Sequence, residues 1–197
     1  MSINSLPFFN RAKGFANDVG FLNKTLSFVV ITELLFFNCE TCIQPLLLPD
    51  SENVKKLSSN VMDIDEYVVD IVNNEGLAEG LEEIDGGVTV HHACHARAQN
   101  MGIKARDMLK NIPNVKIDVV ERCAGHGGTF GVMKETHDLA NKVGRPTARQ
   151  IKNKNNKYMA SDCPLGGKHL KQLEVDTNIS NDEALHPIEL MAKSYKL

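Results

Sequence analysis

Tryptophan is absent from the 197-residue chain, and only three tyrosines are present. Few flat rings are therefore available for stacking on nucleic-acid bases. Charge of one sign is also scarce: the formal net charge is −3. That provides neither a basic field for nucleic acid nor an acidic tail. Long hydrophobic runs are missing too. The most apolar stretch, "LSFVVITELLFF", is too short to cross a bilayer and contains Glu33. The opening "MSINSLPFFNRAKG" has no basic segment followed by an apolar core, so no secretion signal is expected. A cytoplasmic protein is expected. In that reducing compartment its five cysteines point to ligands, reactive thiols or buried packing residues before disulfides.

What is present is a change of pattern along the chain. Leu6 to Leu22 has helical spacing, and "LSFVVI" reads as a buried strand. A C-x-x-C follows at Cys39 and Cys42, and then a proline-interrupted stretch. Residues 51–86 read as a helical linker, with Ser51 and Asp63 as N-caps of two amphipathic helices and Gly76 as a stop. From Gly87 to residue 197 the pattern becomes regular. Strands are expected in "GVTVHH", "VKIDVVE" and "KYMAS". Helices are expected in "ARAQNMGIKARDMLKNI", "GVMKETHDLANKVG", "RPTARQIKNKN", "PLGGKHLKQLE" and the terminal "NDEALHPIELMAKSYKL". Strands alternating with helices imply an α/β fold, an open parallel sheet with flanking helices.

Cys94, Cys123 and Cys163 each fall just beyond a strand and before a helix. In a parallel sheet those carboxyl ends share one edge, where open α/β sheets bind ligands. Helix N-termini there favour thiolate anions, and Arg97 and Arg122 add positive charge close by in sequence. Gly125, Gly127 and Gly128 of "CAGHGGTFG" let the backbone approach a bulky cofactor, and their N–H groups suit the sulfides of an iron–sulfur cluster. Three thiolates leave a fourth metal position, for which His126 and His95 are the nearest donors in sequence; water or substrate serves equally. A cluster, a zinc site and plain burial of the cysteines all remain open here. His91 and His92 point to opposite faces of their strand, so at most one faces the site. His137, His169 and His186 read as surface, packing or hydrogen-bonding residues, and "KNKNNK" as a solvated turn.

In this order, "HHACHAR", "RCAGHGGTFGVMKE", "SDCPLGGKHL" and "HPIELMA" resemble the cysteine-rich CCG domain. That family includes a heterodisulfide reductase subunit, lactate-utilisation iron–sulfur proteins and the anchoring iron–sulfur subunit of anaerobic glycerol-3-phosphate dehydrogenase. The chain departs from the family pattern at Ala124 and Gly166, which stand where second cysteines would be. The resemblance therefore carries over only Cys94, Cys123 and Cys163 as ligands, and a variant branch with a reduced motif. It implies an iron–sulfur cluster, of the 4Fe–4S type before zinc. The implied function is an electron-transfer component of an oxidoreductase, relaying electrons between a dehydrogenase partner and a quinone or other acceptor. The implied partners are a flavoprotein dehydrogenase or a ferredoxin-like subunit, with any membrane contact made through a partner and none with nucleic acid. The alternative is a zinc-binding or degenerate, non-redox scaffold of the same fold. Residues 1–50 resemble the remnant of a preceding repeat, which implies an N-terminally truncated member.

Overall fold

The computed structural model describes residues 51–173 and 184–197. The expected helix and strand before residue 50, and with them Cys39 and Cys42, lie outside the described residues. The chain divides into two compact units, one ending at Ala78 and the other spanning Glu79–Leu197.

In the first unit, α1 (Glu52–Asn60) and α2 (Ile64–Asn74) form where the amphipathic spacing places them. The Ser51 hydroxyl accepts the Val54 N–H at 3.4 Å, and Asp63 accepts the Asp65 N–H at 2.9 Å. Both therefore satisfy helix-terminal donors that have no partner within the helix. Gly76 ends α2 with its N–H on the Ile71 carbonyl and a φ of +77°.

The second unit is built on β1 (Val88–His91), β2 (Ile117–Val120) and β3 (Tyr158–Ser161), all parallel, in the order β2-β1-β3. β1 is central and fully buried, as its β-branched run requires. The chain steps from β1 to one side and from β2 back to the other, so right-handed crossovers put the intervening helices on opposite faces. On one face lie α5 (His137–Lys154) and α6 (Pro164–Leu173), with a core of Val120, Ala124, Ala148, Ile151, Met159 and Leu170. Helices α4 (Lys104–Leu109) and α7 (Pro187–Ser194) touch each other and cover the second face. Leu185, just before α7, adds a one-residue parallel bridge beside β3. His186 caps α7 reciprocally with Glu189, which makes it the structural hydrogen-bonding residue expected.

Three features differ from the expected pattern. Residues 79–86 pack on the second unit: Ser194 and Glu82 exchange hydrogen bonds, and Lys157 N–H donates to the Gly86 carbonyl. The expected helix from Ala96 to Ile112 is instead α3 (Cys94–Ala98) and α4, because Asn100 and Gly102 take φ values of +54° and +81° between them. The two helices expected either side of Arg145 are one, α5, which runs straight through Pro146. Its buried stripe of Ala140, Gly144, Thr147, Ala148 and Ile151 continues on both sides of the proline. Packing of that stripe outweighs the hydrogen bond that Pro146 forfeits, a loss of about 3 kcal/mol in an unsupported helix. The stretch before α5 is a 3₁₀ turn, Gly128–Gly131. No described helix is long and apolar enough to cross a membrane.

Candidate metal-binding edge

Register decides what each strand presents. His91 pairs with Val120 on one side and Ser161 on the other, and paired residues share a face. His91, Ser161, Val120 and Met159 therefore lie on the α5–α6 face, and His92 and Asp162 on the opposite one. At the amino ends of the strands, Asn156 donates to Thr89 at 2.9 Å and to Asp118 at 3.0 Å. A shallow groove lined by Glu83, Asp85, Asn114 and Lys116 lies at that end, on the opposite edge from the cysteines.

At the carboxyl ends, Cys94 opens α3, Cys123 follows β2 and Cys163 precedes α6. None of the three is in a disulfide; Cys94 is exposed and the other two half-buried. Each sulfur accepts a hydrogen bond. Arg97 donates to Cys94 Sγ at 3.6 Å, Gly125 N–H to Cys123 Sγ at 3.3 Å, and Gly166 N–H to Cys163 Sγ at 3.3 Å. Cys163 also accepts the Gly167 N–H on its carbonyl at 2.8 Å. It thus behaves as the N-cap of α6, with sulfur in the place of a capping oxygen.

The loop after β2 is held from behind. Thr147, fully buried on α5, donates to the Cys123 carbonyl at 2.6 Å. Gly125, at φ +84°, lies so close to α5 that an added Cβ would stand 2.3 Å from the Ala140 carbonyl oxygen. Its small size is thus used in packing the loop on α5, whereas Gly127 and Gly128 are exposed. His126 is buried, with its ring edge-on to His169 at 5.7 Å between centroids, and His169 meets His137 at 6.4 Å. His137 Nδ1 contacts the Gly131 carbonyl at 2.7 Å. His95 is half-buried on α3.

Four residues that the sequence did not assign to the site complete the edge. His91 contacts Ser161 Oγ through Nδ1 at 2.9 Å and the Arg122 carbonyl through Nε2 at 2.8 Å. On the other face His92 Nδ1 stands 3.7 Å from Asp162 Oδ2, both buried. Desolvation holds His91 and His92 below the usual histidine range, against weaker raising pulls from the Arg122 carbonyl and Glu121 respectively. The signal available in the sequence was parity: "HH" and "SD" are polar pairs closing largely apolar strands, one residue before Cys94 and directly before Cys163.

The donor set suits a soft metal centre. Three thiols outside any disulfide follow three adjacent strands, and each accepts an N–H, the kind of donor that cluster sulfurs also accept. Among the described residues no three His, Cys, Asp or Glu side chains are gathered into a metal-enclosing group. The thiols therefore form an open edge with three separate sulfurs.

Comparison with known proteins agrees with the pattern of cysteines. Residues 88–171 match the cysteine-rich domain family CCG. A subunit of the anaerobic glycerol-3-phosphate dehydrogenase of Escherichia coli K12 is 28% identical over 122 residues, 61% of this chain and 29% of that protein. An uncharacterised iron–sulfur protein of Methanocaldococcus jannaschii is 33% identical over 113 residues, 54% of this chain and 23% of that protein. The chain thus spans less than a third of the length of these relatives. No solved structure matches it. With three strand-end cysteines, a parallel sheet and a family match that begins on β1 and ends within α6, residues 88–171 are similar to the cysteine-rich domain of the CCG family.

Proposed function

We propose that the chain is an iron–sulfur, electron-transfer component of an oxidoreductase, with Cys94, Cys123 and Cys163 as the metal ligands. One observation carries the reading: three free thiols end three adjacent parallel strands, and each sulfur accepts an N–H hydrogen bond. The names of the relatives, one part of a dehydrogenase and the other an iron–sulfur protein, support it. A cluster of the 4Fe–4S type would supply one-electron transfer without bond making in an organic substrate.

The chain's own residues do the rest. The Gly125 and Gly166 N–H groups and Arg97 hydrogen-bond the three sulfurs, Thr147 fixes the Cys123 backbone, and the exposed Gly127 and Gly128 carry no side chain that would crowd the edge. His126 and His95 are the protein donors nearest in sequence for a fourth position, with water or a partner's ligand as the alternative. In this reading electrons pass between a flavoprotein dehydrogenase or ferredoxin-like partner and a quinone or other acceptor.

The test is iron, acid-labile sulfide and zinc per chain in protein purified anaerobically, with the visible spectrum alongside. Iron and sulfide in near-equal amounts, both lost in Cys123→Ser, are expected. Zinc alone, or no metal in a folded chain, would overturn the reading in favour of a non-redox scaffold.

A further inference from the structure

We propose that His91 is a positioning residue that fixes the spacing between the Cys123 and Cys163 loops, by clamping both to the central strand from inside the sheet. The proposal rests on the reading of the cysteines as metal ligands given above.

A carbonyl oxygen only accepts, so the 2.8 Å contact from His91 Nε2 to the Arg122 carbonyl puts a proton on Nε2. Burial of the ring, 1% exposed, favours the neutral imidazole. Nδ1 is then an acceptor, and its partner at 2.9 Å, the Ser161 hydroxyl, must donate to it. Having given up its proton there, Ser161 Oγ accepts the Cys163 N–H at 3.2 Å. The Cys163 carbonyl, at 3.2 Å, is the longer alternative for the same hydroxyl proton.

A single donor–acceptor chain thus runs from Cys163 N–H through Ser161 and the two ring nitrogens to the carbonyl of Arg122, the residue before Cys123. It spans all three strands in the plane where the thiols leave the sheet. The imidazole is rigid, with its two polar atoms fixed on opposite sides of one ring. The neutral ring thus offers one donor and one acceptor in a fixed geometry. At this edge His92 N–H donates to the Val120 carbonyl and Ser161 N–H to the Leu185 carbonyl. Besides them, the His91 bridge is a direct link between the loops that carry Cys123 and Cys163. Metal ligands are held in this way by outer hydrogen bonds, and loss of such a bond costs on the order of tenfold or more in metal affinity.

Two substitutions cut the arms separately. In His91→Asn the amide oxygen sits near the Nδ1 position and keeps Ser161 but does not reach Arg122. In His91→Gln the amide nitrogen sits near the Nε2 position and keeps Arg122 but frees Ser161. The measurement is made on the full chain in two states. Without metal, amide NMR shifts report the loops directly. Gly125, the donor to Cys123 Sγ, should move most in His91→Asn, and Gly166, the donor to Cys163 Sγ, most in His91→Gln. In protein loaded with iron and sulfide, both variants should lose on the order of tenfold in iron affinity and show altered EPR g-values.

Equal, non-selective amide changes in the two variants, or unchanged amides in both, would overturn the proposal. Arm-selective amide changes with unaltered iron affinity and EPR would confine His91 to structure and overturn the link to the ligands. If the parent chain takes up no cluster, the reading of the cysteines fails, and the metal-free amides still decide the clamp. A variant that does not fold is replaced by Ser161→Ala, which cuts the same arm as His91→Gln and should displace Gly166 alone.

Discussion

At Gly125 the loop after β2 rests directly on α5, and the cost of filling that contact can be separated from the cost of a left-handed backbone. Gly125 and Gly128 both have positive φ, +84° and +63°. An alanine at either pays about 1–2 kcal/mol for that conformation. At Gly128 an added Cβ meets nothing within 4 Å. At Gly125 it would lie 2.3 Å from the Ala140 oxygen and 2.8 Å from the Gly144 nitrogen, both backbone atoms that cannot rotate aside. To restore ordinary contact the loop must retreat about 1 Å from α5, and overpacking of this kind costs about 1–3 kcal/mol. Gly125→Ala is therefore expected to destabilise by about 2–5 kcal/mol and Gly128→Ala by about 1–2 kcal/mol. Urea titrations of both variants against the parent chain, followed by circular dichroism, measure the difference. The same displacement pulls the Gly125 N–H off Cys123 Sγ, so Gly125→Ala should also lose more metal. Equal midpoints for the two variants would refute the reasoning and return Gly125 to the role of a simple turn.

Thr147→Val keeps the shape of a fully buried side chain but leaves the Cys123 carbonyl without its donor; a loss of about 1–3 kcal/mol is expected in a denaturation midpoint. Burial is the leading cause that holds both His91 and His169 below the usual histidine range, against weaker pulls from the Arg122 and Ala140 carbonyls. Between the lowered folded values and about pH 6.5 the unfolded chain therefore binds protons that the folded chain does not. Stability should be full above about pH 6.5 and fall on acidification, by at most about 1.4 kcal/mol per pH unit for each histidine. A flat profile of urea midpoints from neutral pH into the acid range would contradict this.

How much of this was legible depended on whether the deciding contacts were local. The three strands, the caps Ser51 and Asp63, a hydrogen-bonding role for His186, and the placement of Cys94, Cys123 and Cys163 at strand ends follow from periodicity and short-range chemistry. The unbroken α5 did not, because Pro146 reads as a boundary until the buried stripe on both sides of it is seen to pack. The break between α3 and α4 was carried by "NMG", whose Asn100 and Gly102 take left-handed conformations, yet the apolar spacing across it masked the stop. His91 was ambiguous for a different reason. Strand alternation says only that His91 and His92 face apart, and which face holds the clamp depends on pairing 31 and 70 residues away.

The junction of α6 with the loop after β2 bears on how such a domain changes over time. A Cβ at Gly166 would lie 3.4 Å from Ala124 Cβ and 3.3 Å from Cys163 Sγ. Positions 124 and 166, where the family pattern has its additional cysteines, are therefore neighbours in space. A thiol introduced at 166 alone enters a volume already shared by Ala124 and Cys163, so α6 must give by a few tenths of an ångström. A thiol introduced at 124 alone presses on the close packing that Gly166 permits. Substitutions at 124 and 166 therefore share one volume, and their effects on stability are expected to couple rather than add.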